Sequence, residues 1–322
     1  MKIKNDILEQ PVKWVRILAV LSTLIMMFYA PKLWISTKDF PTIPLFDNFT
    51  ALQYPFDYIL AGLFFMLHLI YLFYPKRIIG FSIVLLFIFL AVVDQTRLQP
   101  YFYQNILTIF AISLFPKTTQ EKKVLYAIIL IFIATYFWSG IQKFNDEFYI
   151  QWMRALLKHF DFVPHSLLLL STYAVPWVEF IIGIFLLFNK TRKLGVISIV
   201  LMHGTIVFML YFLGYGYNVV IWNLQNILSV IIIFWTLKTE RATSFFVEFF
   251  DYRKAIVIIF TFILPLSNIF GKWDHLLSFS FFSAKLNYYY VEIDKKLANK
   301  LPKHIQDNCL PFQDKQILYV HY

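Results

Sequence analysis

The sequence predicts an all-α polytopic membrane protein, about nine transmembrane helices with a small α+β tail, and three observations predict it. Of 322 residues, 59% are hydrophobic and 20% aromatic while only 15% are charged, a balance that suits lipid rather than a soluble core. Nine segments are apolar over about the 17–25 residues that a bilayer-crossing helix needs: 14–30, 56–74, 78–94, 100–115, 124–143, 166–188, 195–214, 218–237 and 255–271. The lysines and arginines lie between these segments, so the net charge of +10 reads as a positive-inside bias and no nucleic-acid partner is expected.

Each element follows from local features. Residues 14–30 come after Lys2, Lys4 and Lys13 as the apolar part of a secretory leader would, yet Phe28-Tyr29-Ala30 is a poor cleavage site. The run is therefore read as a retained first span. Gln99-Pro100 divides 78–94 from 100–115, because proline cannot continue a helix. With the N-terminus cytoplasmic, 16 basic residues fall on the inner side, 6 in loops on the other side, and 7 after residue 271.

Nine spans leave the tail outside, so the expected domains are a membrane region, 1–271, and an extracytoplasmic tail, 272–322. The expected location is a bacterial inner (plasma) membrane. Between the fifth and sixth spans, EFYIQWMRALLKHF (147–160) sets Glu147, Gln151, Arg154 and Lys158 at helical spacing opposite Phe148, Trp152, Leu156 and Phe160. This is an amphipathic helix, lying on the outer surface or packed over span ends. In the tail, NYYYVEI and KQILYVHY read as strands. The lone cysteine, Cys309, allows no internal disulfide, and Asn48-Phe49-Thr50 formally matches a glycosylation acceptor.

Several polar residues stand at or near membrane depth, where a charge costs roughly 2.5–3.5 kcal/mol on insertion scales. Asp94 and Arg97 end the third predicted span and Lys143 ends the fifth, all at the outer boundary. Glu179 lies midway in the sixth, His203 in the seventh, and Asn223, Gln225 and Asn226 in the eighth. Several spans each giving a polar group suggest a cavity near the outer leaflet for a lipophilic small molecule, with the bilayer itself as the main partner. Lys143 is a general base if desolvation neutralises it, or a charged structural residue if it pairs with Asp94 or Glu179. Ser139 and Gly140 are small enough for another helix or a ligand to approach. No H-E-x-x-H and no paired histidines occur, so no metal site is expected.

Three segments resemble the HTTM family, the membrane domain shared with vitamin K-dependent gamma-glutamyl carboxylase. They are Gly140-Ile141-Gln142-Lys143-Phe144-Asn145-Asp146, Asp94-Gln95-Thr96-Arg97, and Leu201-Met202-His203 followed by Phe212-Leu213-Gly214. The resemblance covers about residues 10–271. It implies a reduced quinone such as vitamin K as cofactor, Lys143 as the base that deprotonates it, and His203 as a second catalytic residue. Asp94, Arg97, Tyr101, Glu179, Asn223 and Asn226 would line the cavity, with Tyr101 standing where the family pattern has a histidine. Two further readings stay open: a non-catalytic binding or partner subunit of an envelope complex, and a DoxX-like quinone oxidoreductase subunit.

Overall fold

A computed structural model describes residues 10–35, 42–46, 52–214, 216–234, 237, 240–284, 289–306, 309–312 and 315–320. Lys2, Lys4, Lys38, Lys238 and the Asn48-Phe49-Thr50 acceptor lie outside them. The chain divides into two units, Met1–Ala284 and Lys285–Tyr322.

In the first unit, helix α1 (Pro11–Tyr29) is followed by α2 (Phe56–Phe73), α3 (Arg77–Val93), α4 (Pro100–Leu114), α5 (Glu121–Gln142) and α6 (Asp146–His159). Then come α7 (His165–Leu187), α8 (Arg192–Leu213), α9 (Tyr217–Phe234), α10 (Ala242–Val247) and α11 (Tyr252–Ile258), which runs through a π turn (Ile259–Ile263) into α12 (Leu264–Asn268). Six of these helices, α1, α2, α5, α7, α8 and α9, are long and apolar enough to cross a bilayer. The chain is an integral membrane protein. The three remaining apolar segments form shorter elements: α3, α4 and the interrupted α11–α12 helix.

Local chemistry explains the boundaries. Gln99 is extended before Pro100, which opens α4 at a position where its missing N–H costs nothing. Asn145 starts α6 by accepting from the Phe148 N–H at 2.9 Å, and Asp146 and Glu147 then sit at the positive end of the helix dipole. The π turn precedes Pro265, whose ring nitrogen cannot bond the Thr261 carbonyl; the Trp138 indole takes that carbonyl at 2.8 Å.

Helix α5 is the axis of the bundle. It is apolar on every face, and 89% of its apolar stretch is buried, against 22% for α2 and 17% for α8. Helices α1, α4, α7, α9, α10 and α11 all touch it, while α6 packs along α7 through Tyr149–Tyr173 and Met153–Thr172 contacts, with Phe148 buried. The amphipathic segment is therefore a helix laid against its neighbour, with Ile150 and Leu157 outward.

Four arginines counted as inner- or outer-side charges close helix ends. Arg16 donates to the Tyr71 and Leu72 carbonyls (2.7 and 3.1 Å), Arg77 to those of Ser113 and Leu114 (2.9 and 3.2 Å), and Arg192 to those of Leu186 and Leu187 (3.1 Å each). Arg97 reaches the carbonyls of Leu33, Leu90 and Trp34. The last carbonyls of a helix have no partner within it, and in a lipid-surrounded bundle a guanidinium answers both their hydrogen-bonding need and the negative end of the dipole.

In the second unit, β1 (Tyr289–Asp294), β2 (Cys309–Phe312) and β3 (Lys315–Val320) form an antiparallel sheet in the order β1-β3-β2, with Tyr289 opposite Val320 and Cys309 opposite Leu318. Two single-turn helices, α13 (Lys295–Ala298) and α14 (Lys303–Gln306), connect β1 to β2.

Candidate functional site

Tyr136, Ser139, Gly140 and Lys143 recur at helical spacing along one stripe of α5, with α7 packed beside α5 and α8 packed on α7. Lys143 is the C-terminal cap of α5. Its Nζ lies 2.6 Å from Glu179 Oε2 on α7 and donates to Ser139 Oγ at 2.7 Å, while the Ser139 hydroxyl donates to the same Glu179 oxygen at 2.7 Å. A third contact, 3.3 Å, runs from Nζ to the Ser139 carbonyl. The Lys143 side chain is 5% exposed and that of Glu179 14%, so the ion pair sits in a dry interface and the serine bridges it.

Two glycines bring the helices close enough for this pairing. A Cβ on Gly140 would lie 2.3 Å from the Phe180 nitrogen and 2.7 Å from the Pro176 carbonyl oxygen; one on Gly183 would lie 2.6 Å from the Phe137 nitrogen. Backbone of α5 thus meets backbone of α7 at two levels, the small-residue contact that membrane helices use. What Ser139 and Gly140 admit is a helix.

One turn deeper, the Tyr136 hydroxyl meets His203 Nε2 at 2.8 Å, and His203 Nδ1 bonds Asn223 Oδ1 on α9. Because Asn223 Nδ2 donates to the Val219 carbonyl (2.7 Å), its Oδ1 is the end that faces the ring. This arrangement suits a histidine with its proton on Nδ1 and a tyrosine donating to Nε2.

A further assembly joins α1, α4 and α9. Gln104 and Asn226 form a reciprocal amide pair (2.9 and 3.3 Å), and the Trp222 indole donates to Gln104 Oε1 at 2.5 Å. Beside them, Gln225 donates to Asn105 Oδ1 (2.5 Å), Asn105 donates to Ser22 and Thr23 (3.0 Å each), and the Ser22 hydroxyl bonds Gln225 Oε1. Amides that would be costly in hydrocarbon satisfy one another across three helices.

Asp94, Arg97 and Tyr101 are engaged elsewhere. Asp94 accepts from the Thr96 hydroxyl at 2.9 Å and from the Thr96 and Ile43 N–H groups, capping a short 3-10 turn (Gln95–Arg97). Arg97 binds carbonyls as described, and Tyr101 accepts from Asn218 Nδ2 at 2.8 Å. The structure thus gathers Lys143 with Glu179 and His203 with Asn223, and places Asn226 in the amide assembly. Sequence reasoning passed over Tyr136, Gln104, Asn105, Ser22 and Thr23. The signal available was two adjacent amide pairs, Gln104-Asn105 and Gln225-Asn226, inside two apolar runs.

Residues 121–220 match the family model of methylamine utilisation protein MauE. No curated protein and no solved structure matches the chain. The match takes in α5 to α8 and the start of α9, and with them Tyr136, Ser139, Lys143, Glu179 and His203, in just under a third of the chain. It corrects the HTTM resemblance, and the geometry shows why those motifs misled. Asp94 and Thr96 make a turn cap, and Asn145 makes a helix cap after a span end. Such patterns arise wherever a chain leaves a helix, whatever the family.

Proposed function

We propose that this chain is a non-catalytic membrane partner subunit, a helical bundle that serves a larger membrane assembly through its outer surface. The observation that carries the reading is the Lys143–Ser139–Glu179 contact at 2.6–2.7 Å, in which the candidate base is bound to a carboxylate. His203, Asn223 and Asn226 likewise bond neighbouring side chains. In this reading the deep polar groups hold α5, α7, α8 and α9 in register, and the exposed faces of α2, α7 and α8 meet lipid or partner. The MauE description places that protein in methylamine utilisation; we carry over only a membrane role in an amine-handling system.

The reading also keeps nine spans, an inner membrane, a cytoplasmic N-terminus and an extracytoplasmic tail from about residue 272, on the support of the apolar segments and the basic-residue bias.

Photo-cross-linking from Leu201, Phe208 and Phe212 on α8, in the native host, tests it. The expected result is one discrete protein adduct shared by neighbouring positions. Lipid adducts alone, together with Lys143-dependent quinol oxidation by the purified chain, would overturn it.

A further inference from the structure

After α12 the chain turns back onto the bundle. A short 3-10 turn (Leu276–Ser278) leads into Phe279, Ser280, Phe281, Phe282, Ser283 and Ala284, the last residue of the first unit. Phe279 and Phe281 are buried, and so are Ser278, Ser280 and Ser283, although the run from Phe279 onward forms no helix or strand.

Ring contacts hold this run in place. Phe279 packs on Tyr103 of α4, with ring centroids 5.6 Å apart, and Phe281 and Phe282 pack on Trp222 of α9 at 5.7 and 6.4 Å. Two hydrogen bonds fasten its ends. The Tyr103 hydroxyl donates to the Leu277 carbonyl at 3.1 Å, and Asn145 Nδ2, at the start of α6, donates to the Ser283 carbonyl at 3.0 Å. The Ser278 hydroxyl donates to the Asp274 carbonyl (2.6 Å) and the Ser280 and Ser283 hydroxyls bond each other (2.5 Å), so much of the polar chemistry of the run is closed within it.

Its backbone is strained. Phe279, Phe282 and Ala284 have φ of 56°, 52° and 59°, the left-handed region in which a Cβ crowds the neighbouring carbonyl. Such a conformation in residues other than glycine persists only where the surroundings enforce it, and here the buried rings of Phe279 and Phe281 do so. The run covers Trp222, whose indole bonds Gln104 beside Asn226, and so closes the seam between α4 and α9 at the amide assembly.

We propose that residues 276–284 are a strained strap that opens as a unit while the bundle stays folded, and that its opening gives access to the α4–α9 seam at Trp222. Opening gives up three ring contacts and two hydrogen bonds but relaxes three left-handed residues. It therefore lies closer in free energy to the closed state than does the unfolding of a bilayer-length helix.

Hydrogen exchange of the full chain in nanodiscs, read by mass spectrometry, tests this through the bonded amides of Ser278, Ser280 and Phe281. They are expected to exchange together, at least tenfold faster than the amides of residues 222–226 in α9. Tyr103→Phe keeps the ring and deletes one fastening bond, and should speed them at least threefold. Ala284→Gly relieves one left-handed position and should slow them at least twofold, with α5 and α9 unchanged in both variants. The F279D/F281D variant, which holds the strap open, should raise hydroxyl-radical labelling of Trp222 at least fivefold while Trp138 in α5 stays protected. Strap amides that exchange in step with α9, or an Ala284→Gly rate equal to or above that of the parent, overturn the proposal. So does a protected Trp222 in the F279D/F281D variant, and labelling of Trp138 together with Trp222 overturns it as well, because the strap would then be inseparable from the bundle.

Discussion

Replacing Lys143 with methionine should leave Glu179 with its one remaining bond, the 2.7 Å contact from Ser139, in an interface where its side chain is 14% exposed. Breaking a buried ion pair by removing one partner costs about 3–5 kcal/mol, and the retained serine bond and partial access put this case near 3 kcal/mol. Glu179→Leu should cost a similar amount, because the Lys143 ammonium, 5% exposed, would keep only Ser139 contacts. Removing both charges, in Lys143→Met with Glu179→Leu, should return stability to within about 1 kcal/mol of the parent, since a buried pair gains little over well-packed apolar residues. Reversible unfolding in mixed micelles, followed by tryptophan fluorescence, measures all four corners of this cycle. A single-variant cost below about 0.5 kcal/mol, or additive costs in the double variant, would refute the argument that the pair locks α5 to α7.

Gly140→Ala places a methyl against backbone atoms and is expected to destabilise by about 1–3 kcal/mol, whereas Gly204→Ala, with nothing within 4 Å, should be neutral or stabilise by up to about 1 kcal/mol; the same melts rank them. His203→Leu strands the Tyr136 hydroxyl and the Asn223 carbonyl at about 1–3 kcal/mol each, and adding Tyr136→Phe should recover part of the loss. Arg16→Met orphans the Tyr71 and Leu72 carbonyls, and hydrogen exchange should show the end of α2 opening first. At Asp251, burial pushes the carboxyl up, but the Lys123 side chain, the Lys254 N–H and Arg253 outweigh it, so the group titrates below the usual carboxylate range. Its stabilisation is therefore present above about pH 4 and lost as pH falls through the lowered value. Asp251→Asn should flatten that acid limb of a stability profile; an unaltered limb would contradict it.

The helices were legible because hydropathy is a local property. Among the described residues, the six bilayer-length helices overlap apolar runs between 14–30 and 218–237, NYYYVEI covers all of β1 but Asp294, and KQILYVHY contains β3. Even the axial place of α5 was readable in principle, from a run with no polar face. Partners were not legible, because a hydrogen-bond partner is set by which helices touch. Gln225 and Ser22 are 203 residues apart, and nothing in either segment names the other. Asp94 and Arg97 looked like cavity charges because depth alone was visible; one caps its own turn and the other binds carbonyls. The partner of Lys143 is not written in its own segment: Asp94 and Glu179 are both acidic residues of other segments, and the approach of α7 at Gly140 brings Glu179 to it.

The amide assembly between α1, α4 and α9 also sets an order of events during synthesis. Ser22 and Thr23 enter the membrane with the first helix of the bundle, and Asn105 can reach them once α4 is made. Gln225, which completes the set, emerges only after α5 to α8 are in place. The bundle is therefore clasped last by α9, and a nascent chain stopped before it carries half-satisfied amides in hydrocarbon. Such a chain presents a defined, temporary adhesive surface on α1 and α4, one that an insertion factor can hold until the ninth helix replaces it.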